Sequence, residues 1–165
     1  MGSIPTPATI FRKMKYSISA TILYLFLAGW ILPLEKYITP ESGVGYALGI
    51  VGASAMLSLL SYSARKRIDA LWKLSPLKNW MNLHIFLGLF GPLCILYHCR
   101  YSLGAPNSNI ALFSMLSVAG SGVVGRYLYN TMNKKLFAMW HVAHLPFVFI
   151  LAIAAIVHVI ASILY

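Results

Sequence analysis

Residues 136–165 read LFAMWHVAHLPFVFILAIAAIVHVIASILY, a stretch of 30 residues without Asp, Glu, Lys or Arg. A helix needs about 20 predominantly apolar residues to cross the hydrocarbon core of a bilayer. The stretch therefore predicts a membrane-spanning helix and, with it, an integral membrane protein. Its unusual feature is three histidines, His141, His144 and His158, because ionisable residues inside a span are rare and usually face the protein interior.

Four further apolar stretches precede this one. The chain is 59% apolar and 10% charged, whereas a soluble domain is closer to about half apolar and a quarter charged. We therefore predict an all-α fold, with residues 1–165 forming a single membrane domain of about five transmembrane helices. The predicted spans are residues 16–34, 43–62, 82–101, 109–129 and 136–165.

The basic residues indicate how these spans are oriented. Eleven of the 13 Lys and Arg residues lie before the first span, between the second and third, or at the junction of the fourth and fifth. Because basic loops remain in the cytoplasm, we predict a cytoplasmic N-terminus and an outside C-terminus in a bacterial inner membrane. The net charge of +10 is then loop charge, so membrane lipid is an expected partner and nucleic acid is not.

All five histidines lie in or at the edge of the third and fifth spans. His84 and His98 are fourteen residues apart, and so are His144 and His158. Fourteen residues at about 100° each fall about 40° short of four turns, so each pair shares a helix face, with about 21 Å between its members along the axis. Because the two spans run in the same direction, His84 is expected near the depth of His144, and His98 near that of His158.

These two levels of histidine predict two bis-histidine sites stacked across the membrane. A planar macrocycle with two axial imidazoles suits this arrangement, whereas zinc or copper more often gathers its ligands into one compact cluster. We therefore predict two b-type haems, an inner one on His84 and His144 and an outer one on His98 and His158. They are expected to be non-covalent, because the sequence has no Cys-x-x-Cys-His motif.

His141 leaves one ligand choice open. It lies three residues before His144, about 60° around the helix, and could replace it as the inner ligand, although the repeated spacing favours His144. Arg100 outside and Arg126 inside are the candidates for binding haem propionates. Several glycines of the third and fourth spans allow either the approach of a flat ring or close helix packing. They are Gly88, Gly91, Gly120, Gly122 and Gly125.

The pattern His84-x13-His98 on one span and His144-x13-His158 two spans later resembles the dihaem core of ferric-reductase-like transmembrane proteins. The run Trp140-His141-Val142-Ala143-His144-Leu145 is also similar to the start of the second histidine helix in relatives without a flavin domain.

The resemblance covers about residues 45–165. It implies a dihaem cytochrome b that transfers electrons across the membrane. We expect no nucleotide-binding dehydrogenase domain and no sixth span in this sequence. The chain is therefore expected to be the membrane subunit of a larger oxidoreductase complex rather than a complete enzyme. Its electron donor or acceptor would be a redox partner protein, such as a flavoprotein or another cytochrome, or a quinol.

Two other functions fit the same residues. The histidines could bind a transient metal ion in an ion carrier or assembly protein, or they could only pack in a structural membrane subunit. A proton pump is not predicted, since the acidic residues Glu35, Glu41 and Asp69 all belong to predicted loops. A haem spectrum of the purified protein separates the cytochrome from both alternatives.

Overall fold

The computed structural model describes residues 21–164 except residues 23, 42 and 131–133, and of residues 72, 129, 130 and 134 it describes the backbone alone. In this part of the chain, residues 24–31 are helical and five α-helices follow. They are α1 (Gly43–Ser58), α2 (Leu60–Arg67), α3 (Leu77–His98), α4 (Pro106–Asn130) and α5 (Lys134–Leu164). Two 3-10 helices, Leu34–Lys36 and Asp69–Lys73, lie in the connections.

The protein is an all-α membrane bundle. Four helical segments of the described residues are long and apolar enough to cross a bilayer: α1 together with α2, then α3, α4 and α5. They confirm the predicted second to fifth spans. The predicted first span, residues 16–34, begins outside the described residues, and its described part ends as a helix before Pro33. The orientation of the bundle stays a prediction.

The second span departs from its predicted bounds in two ways. Its helix continues to Arg67, past the predicted end at residue 62, because no proline or glycine precedes the extended Ile68 and basic side chains are favourable at the C-terminal end of a helix. The helix is also interrupted at Leu59, between α1 and α2. Around the interruption the bonds tighten to i→i+3, with the Tyr62 N–H donating to Leu59 O at 3.3 Å.

The C-terminal end of α3 is followed by two residues in the left-handed region, Arg100 and Tyr101, each at φ 56°. Tyr101 N–H donates to Leu96 O at 3.0 Å, which caps the helix. The Tyr101 hydroxyl donates to Phe26 O at 3.1 Å, and its ring occupies the space beside Gly29 that a side chain would fill. Burial raises the pKa of Tyr101 to about 12, so the hydroxyl remains a donor at neutral pH. This contact joins α3 to the helical residues 24–31.

Two closely packed helix pairs make up the bundle, α1 with α3 and α4 with α5. A Cβ added at Gly52 of α1 would lie 2.8 Å from the Ile95 side chain of α3, so glycine is what allows these helices to approach. The two pairs meet mainly through α3 and α4, and among the described residues α3 and α5 are not a closely packed pair. We call the boundary between the two pairs the seam. The two histidine helices lie on opposite sides of it.

Candidate functional site

The four predicted ligands lie on the two helices that flank the seam, two on α3 and two on α5. His84 of α3 interacts electrostatically with His144 of α5, and His98 of α3 interacts in the same way with His158 of α5. All four side chains are half-buried. The helices α3 and α5 are not closely packed, so the histidines of each group, His84 with His144 and His98 with His158, interact without close contact between their helices.

His98 is oriented by α1. Its Nδ1 lies 2.9 Å from Gly45 O, and a carbonyl oxygen can only accept, so Nδ1 must carry the proton. The lone pair of the ring is then on Nε2. A Cβ added at Gly49 would lie 2.9 Å from His98 Nδ1, so this glycine makes room for the ring. Gly45 and Gly49 thus hold the imidazole with Nδ1 toward α1 and the lone pair on Nε2.

Two buried polar atoms near the end of α3 and in α5 have no hydrogen-bond partner among the described residues. The atoms are His158 Nδ1 and Arg100 Nε. Buried polar atoms are nearly always hydrogen-bonded, and an unpartnered one costs about 1–3 kcal/mol. Arg100 follows the end of α3 by two residues, close in sequence to His98. A carboxylate bound at this end of the bundle would satisfy its guanidinium.

His84 is oriented by the interruption between α1 and α2. Its Nδ1 lies 3.3 Å from Leu59 O, the carbonyl at the helix break, so this nitrogen is also the proton-bearing one. The Tyr62 ring packs on the imidazole, with 5.3 Å between ring centroids. Lys66 in turn lies over Tyr62, with Nζ 4.5 Å from the ring centroid. His84 therefore sits beside a positive charge at the predicted inner end of the bundle.

His144 is held by α4 and by its own helix. Its Nδ1 lies 2.7 Å from Ser121 Oγ, and Trp140 stacks on its ring with 5.0 Å between centroids and 27° between planes. The Trp140 Nε1–H donates to Ser121 O at 2.7 Å. Trp140 lies against Gly125, where an added Cβ would collide with its ring. Ser121 and Trp140 thus fix the His144 imidazole on two sides.

His141 lies at the edge of this arrangement. Its side chain is exposed, its ring makes an edge contact with Trp140, 6.2 Å between centroids, and it also interacts electrostatically with His144. His144, by contrast, is half-buried and faces α4. His144 is thus the more enclosed of the two imidazoles, and its choice over His141 as the inner ligand stays a prediction.

Two of the five glycines noted in the sequence serve close helix packing. Gly91 packs against Met56, and Gly125 packs against Trp140, so both serve close helix packing. A Cβ added at the other three would meet nothing within 4 Å, and these are Gly88, Gly120 and Gly122. Arg126, the predicted inner propionate partner, follows Gly125 on α4 and is half-buried.

The residues that orient the histidines were not predicted from the sequence. Neither Ser121 nor the carbonyl groups of Gly45 and Leu59 were assigned this role. The position of Trp140, one helical turn before His144, is a signal that could have been used, since residues four apart share a helix face. A backbone acceptor leaves no comparable trace in the sequence.

The described residues contain no group of three or more His, Cys, Asp and Glu side chains placed to hold a metal ion. A bis-histidine site needs only two such side chains from the protein. Cys94 and Cys99 are free thiols.

No protein-family model, no curated protein and no solved structure matches this chain. The resemblance to ferric-reductase-like proteins therefore stays a prediction from the histidine pattern.

Proposed function

We propose that this chain is a membrane dihaem cytochrome b that carries electrons from one side of the bilayer to the other. The observation that carries the proposal is the placement of His84 and His98 on α3 and of His144 and His158 on α5, with Nδ1 of His84, His98 and His144 each facing a protein oxygen. The two groups are separated by fourteen residues along each helix, about 21 Å at 1.5 Å per residue. This separation places one group toward each side of a hydrocarbon core about 30 Å thick.

The donor set fits haem. A ligating histidine usually donates a hydrogen bond from its other ring nitrogen, which fixes the tautomer and the ring plane. His84, His98 and His144 all have Nδ1 within hydrogen-bond distance of a protein oxygen, which leaves Nε2 as the ligand atom. His158 enters the proposal through its proximity to His98. Bound haem would supply a one-electron couple at each level.

Arginines stand near both proposed sites. A guanidinium binds a carboxylate through two parallel hydrogen bonds and stays charged even when partly buried. Arg100, with its unpartnered Nε, would bind a propionate at the outer site, and Arg126 would do so at the inner site. Their positive charges would offset the negative charge that two propionates bring into the bundle.

The four described spans contain the proposed haem-binding histidines but no carboxylate that could relay protons. Glu35, Glu41 and Asp69 lie outside the four described spans. Intramembrane carboxylates are what proton relays use. We therefore assign electron transfer rather than proton pumping.

The distribution of basic residues supports placing the chain in the bacterial inner membrane with its N-terminus in the cytoplasm. We propose that it works as the membrane subunit of an oxidoreductase system. A flavoprotein, a quinol or another cytochrome would serve as donor or acceptor, and membrane lipid surrounds the bundle.

The test is a reduced-minus-oxidised spectrum of the full-length chain purified in detergent, with haem counted per chain after extraction into acidified acetone. We expect a b-type spectrum, almost complete extraction and two haems per chain. One haem per chain would contradict the two-level arrangement. A chain that stays colourless when haem is supplied would overturn the proposal and favour the metal-carrier or structural alternatives, which metal analysis of the same sample would distinguish.

A further inference from the structure

Ser121 lies at the centre of the hydrogen bonds around His144, although it lies on α4, which carries no histidine. Its hydroxyl donates to Val118 O at 2.8 Å and lies 2.7 Å from His144 Nδ1. Its carbonyl accepts from Trp140 Nε1 at 2.7 Å. One residue thus contacts both the imidazole and the indole that stacks on it.

A count of protons decides the tautomer of His144. A serine hydroxyl has one proton and two lone pairs, and this proton is directed to Val118 O. The short contact between Ser121 Oγ and His144 Nδ1 is then a hydrogen bond only if Nδ1 is the donor. His144 must therefore be protonated on Nδ1, with the lone pair on Nε2.

The ring plane of His144 is fixed as well as its tautomer. Rotation of the imidazole would break the Ser121 contact on its edge and the Trp140 stacking on its face. Trp140 cannot move away freely, because its own N–H is bonded to Ser121 O. The two side chains therefore restrain both rotational directions.

We propose that Ser121 is a positioning residue for the inner site: it selects Nε2 as the ligand atom of His144 and lowers the reduction potential of the haem bound there. A hydrogen bond from the far ring nitrogen raises the basicity of the ligating nitrogen, and a more basic ligand stabilises the oxidised iron. At the outer site, His158 Nδ1 has no such partner among the described residues. The effect on potential rests on the proposed function, whereas the effect on the tautomer does not.

The potential is tested by redox titration of the purified holoprotein, with electron paramagnetic resonance of the oxidised haems. Ser121→Ala should raise the midpoint potential of the inner haem and shift its g-values, while the outer haem stays unchanged. Ser121→Thr keeps the hydroxyl and should restore both signals. The matched control is Ser117→Ala, an exposed serine one turn earlier on α4, which should alter neither haem.

If Ser121→Ala does not fold, Ser121→Cys takes its place, because a thiol is a weak acceptor and should shift the inner potential in the same direction. An unchanged inner potential in a variant that binds two haems would refute the inference and leave the proposed function standing. If the purified protein carries no haem, the proposed function fails, and ¹⁵N NMR of its labelled histidines tests the tautomer alone. His144 protonated on Nε2 would then overturn the inference as well.

Discussion

The Nδ1 nitrogen of His98 lies 2.9 Å from the carbonyl oxygen of Gly45, on a helix that carries no histidine. The same relationship recurs between His84 and Leu59 O, and between His144 and Ser121 Oγ. Each closely packed pair thus combines a histidine helix with a neighbouring span that orients it: the α1–α2 span serves α3, and α4 serves α5. Four helical segments, rather than two, build the candidate site.

Replacement of a single ligand histidine should remove one haem and leave the other bound. Haem iron needs an imidazole nitrogen that alanine does not supply. His98→Ala and His158→Ala should each lose the outer haem and give matching spectra, whereas His84→Ala and His144→Ala should each lose the inner haem. Haem content per chain and low-temperature spectra of the purified variants provide the measurement.

His141→Ala is the control for this series, because His141 is exposed and lies on the same helix as two of the ligands. It should keep both haems. Loss of the inner haem in His141→Ala, with its retention in His144→Ala, would reverse our choice of ligand. Five variants that all keep two haems would contradict the assignment of these histidines as the haem ligands.

Gly49→Ala should weaken the outer site. The new Cβ would lie 2.9 Å from His98 Nδ1, so the ring has to move away from Gly45 O, and overpacking of this kind costs about 1–3 kcal/mol. We expect a lower thermal unfolding temperature in detergent and loss of outer haem. Gly120→Ala is the matched control, since nothing lies within 4 Å of its added Cβ. Equal behaviour of the two variants would show that Gly49 has no role in seating the ring.

Gly125→Ala should disturb the inner site through Trp140. The added Cβ would collide with the indole ring, so Trp140 must leave its stacked position on His144 or α4 must move away from α5. We expect a change in tryptophan fluorescence together with a shifted inner-haem spectrum. Gly122→Ala on the same helix meets nothing within 4 Å and should alter neither signal. An unchanged fluorescence spectrum in Gly125→Ala would show that the indole is not held as described.

Reporter fusions should show an N-inside, C-outside chain. Eleven of the 13 basic residues lie on the side predicted to be cytoplasmic, and loop charge of this kind sets orientation. Alkaline phosphatase fused after Tyr165 should be active, and the same enzyme inserted at Ile68 should be inactive. The reverse pattern would exchange the inner and outer sites while leaving both histidine groups intact.

Haem should stabilise the whole bundle. A ligand that binds across the seam joins two helix pairs that otherwise meet mainly through α3 and α4, and a ligand present at 100 times its Kd adds about 2.7 kcal/mol per site. Thermal unfolding of the loaded chain should therefore occur at a clearly higher temperature than that of the chain purified from haem-depleted cells. A His84→Ala, His98→Ala double variant should show no such difference.

Much of the fold is predictable from sequence because a membrane span can be recognised from the apolar character of its own residues. The stretch that became α5 is apolar over its whole length, and no neighbouring element is needed to recognise it. The histidine spacing belongs to the same class of information, since it depends only on the helical repeat. The predicted end of the second span was wrong. Its position at residue 62 treated Arg65–Arg67 as loop residues because of their charge, although they extend the helix.

The orienting groups lie beyond such reasoning. Leu59 O is available to His84 because the helix breaks at that residue, and no proline or glycine marks the break. The contact of His98 with Gly45 depends on which face of α1 meets α3, a tertiary choice among several glycines on that helix. Ser121 acquires its role only when α4 and α5 pack together.

The seam also fixes when the site can be completed during biosynthesis. His84 and His144 are sixty residues apart, as are His98 and His158, and the second member of each group lies on α5. A nascent chain that has delivered α1–α4 to the membrane can already pair α1 with α3, yet it holds only half of each site. Both proposed sites are therefore completed by one late event, the insertion of α5 into the membrane. A chain arrested before Lys134 would retain its first helix pair and would lack the second histidine of both proposed sites.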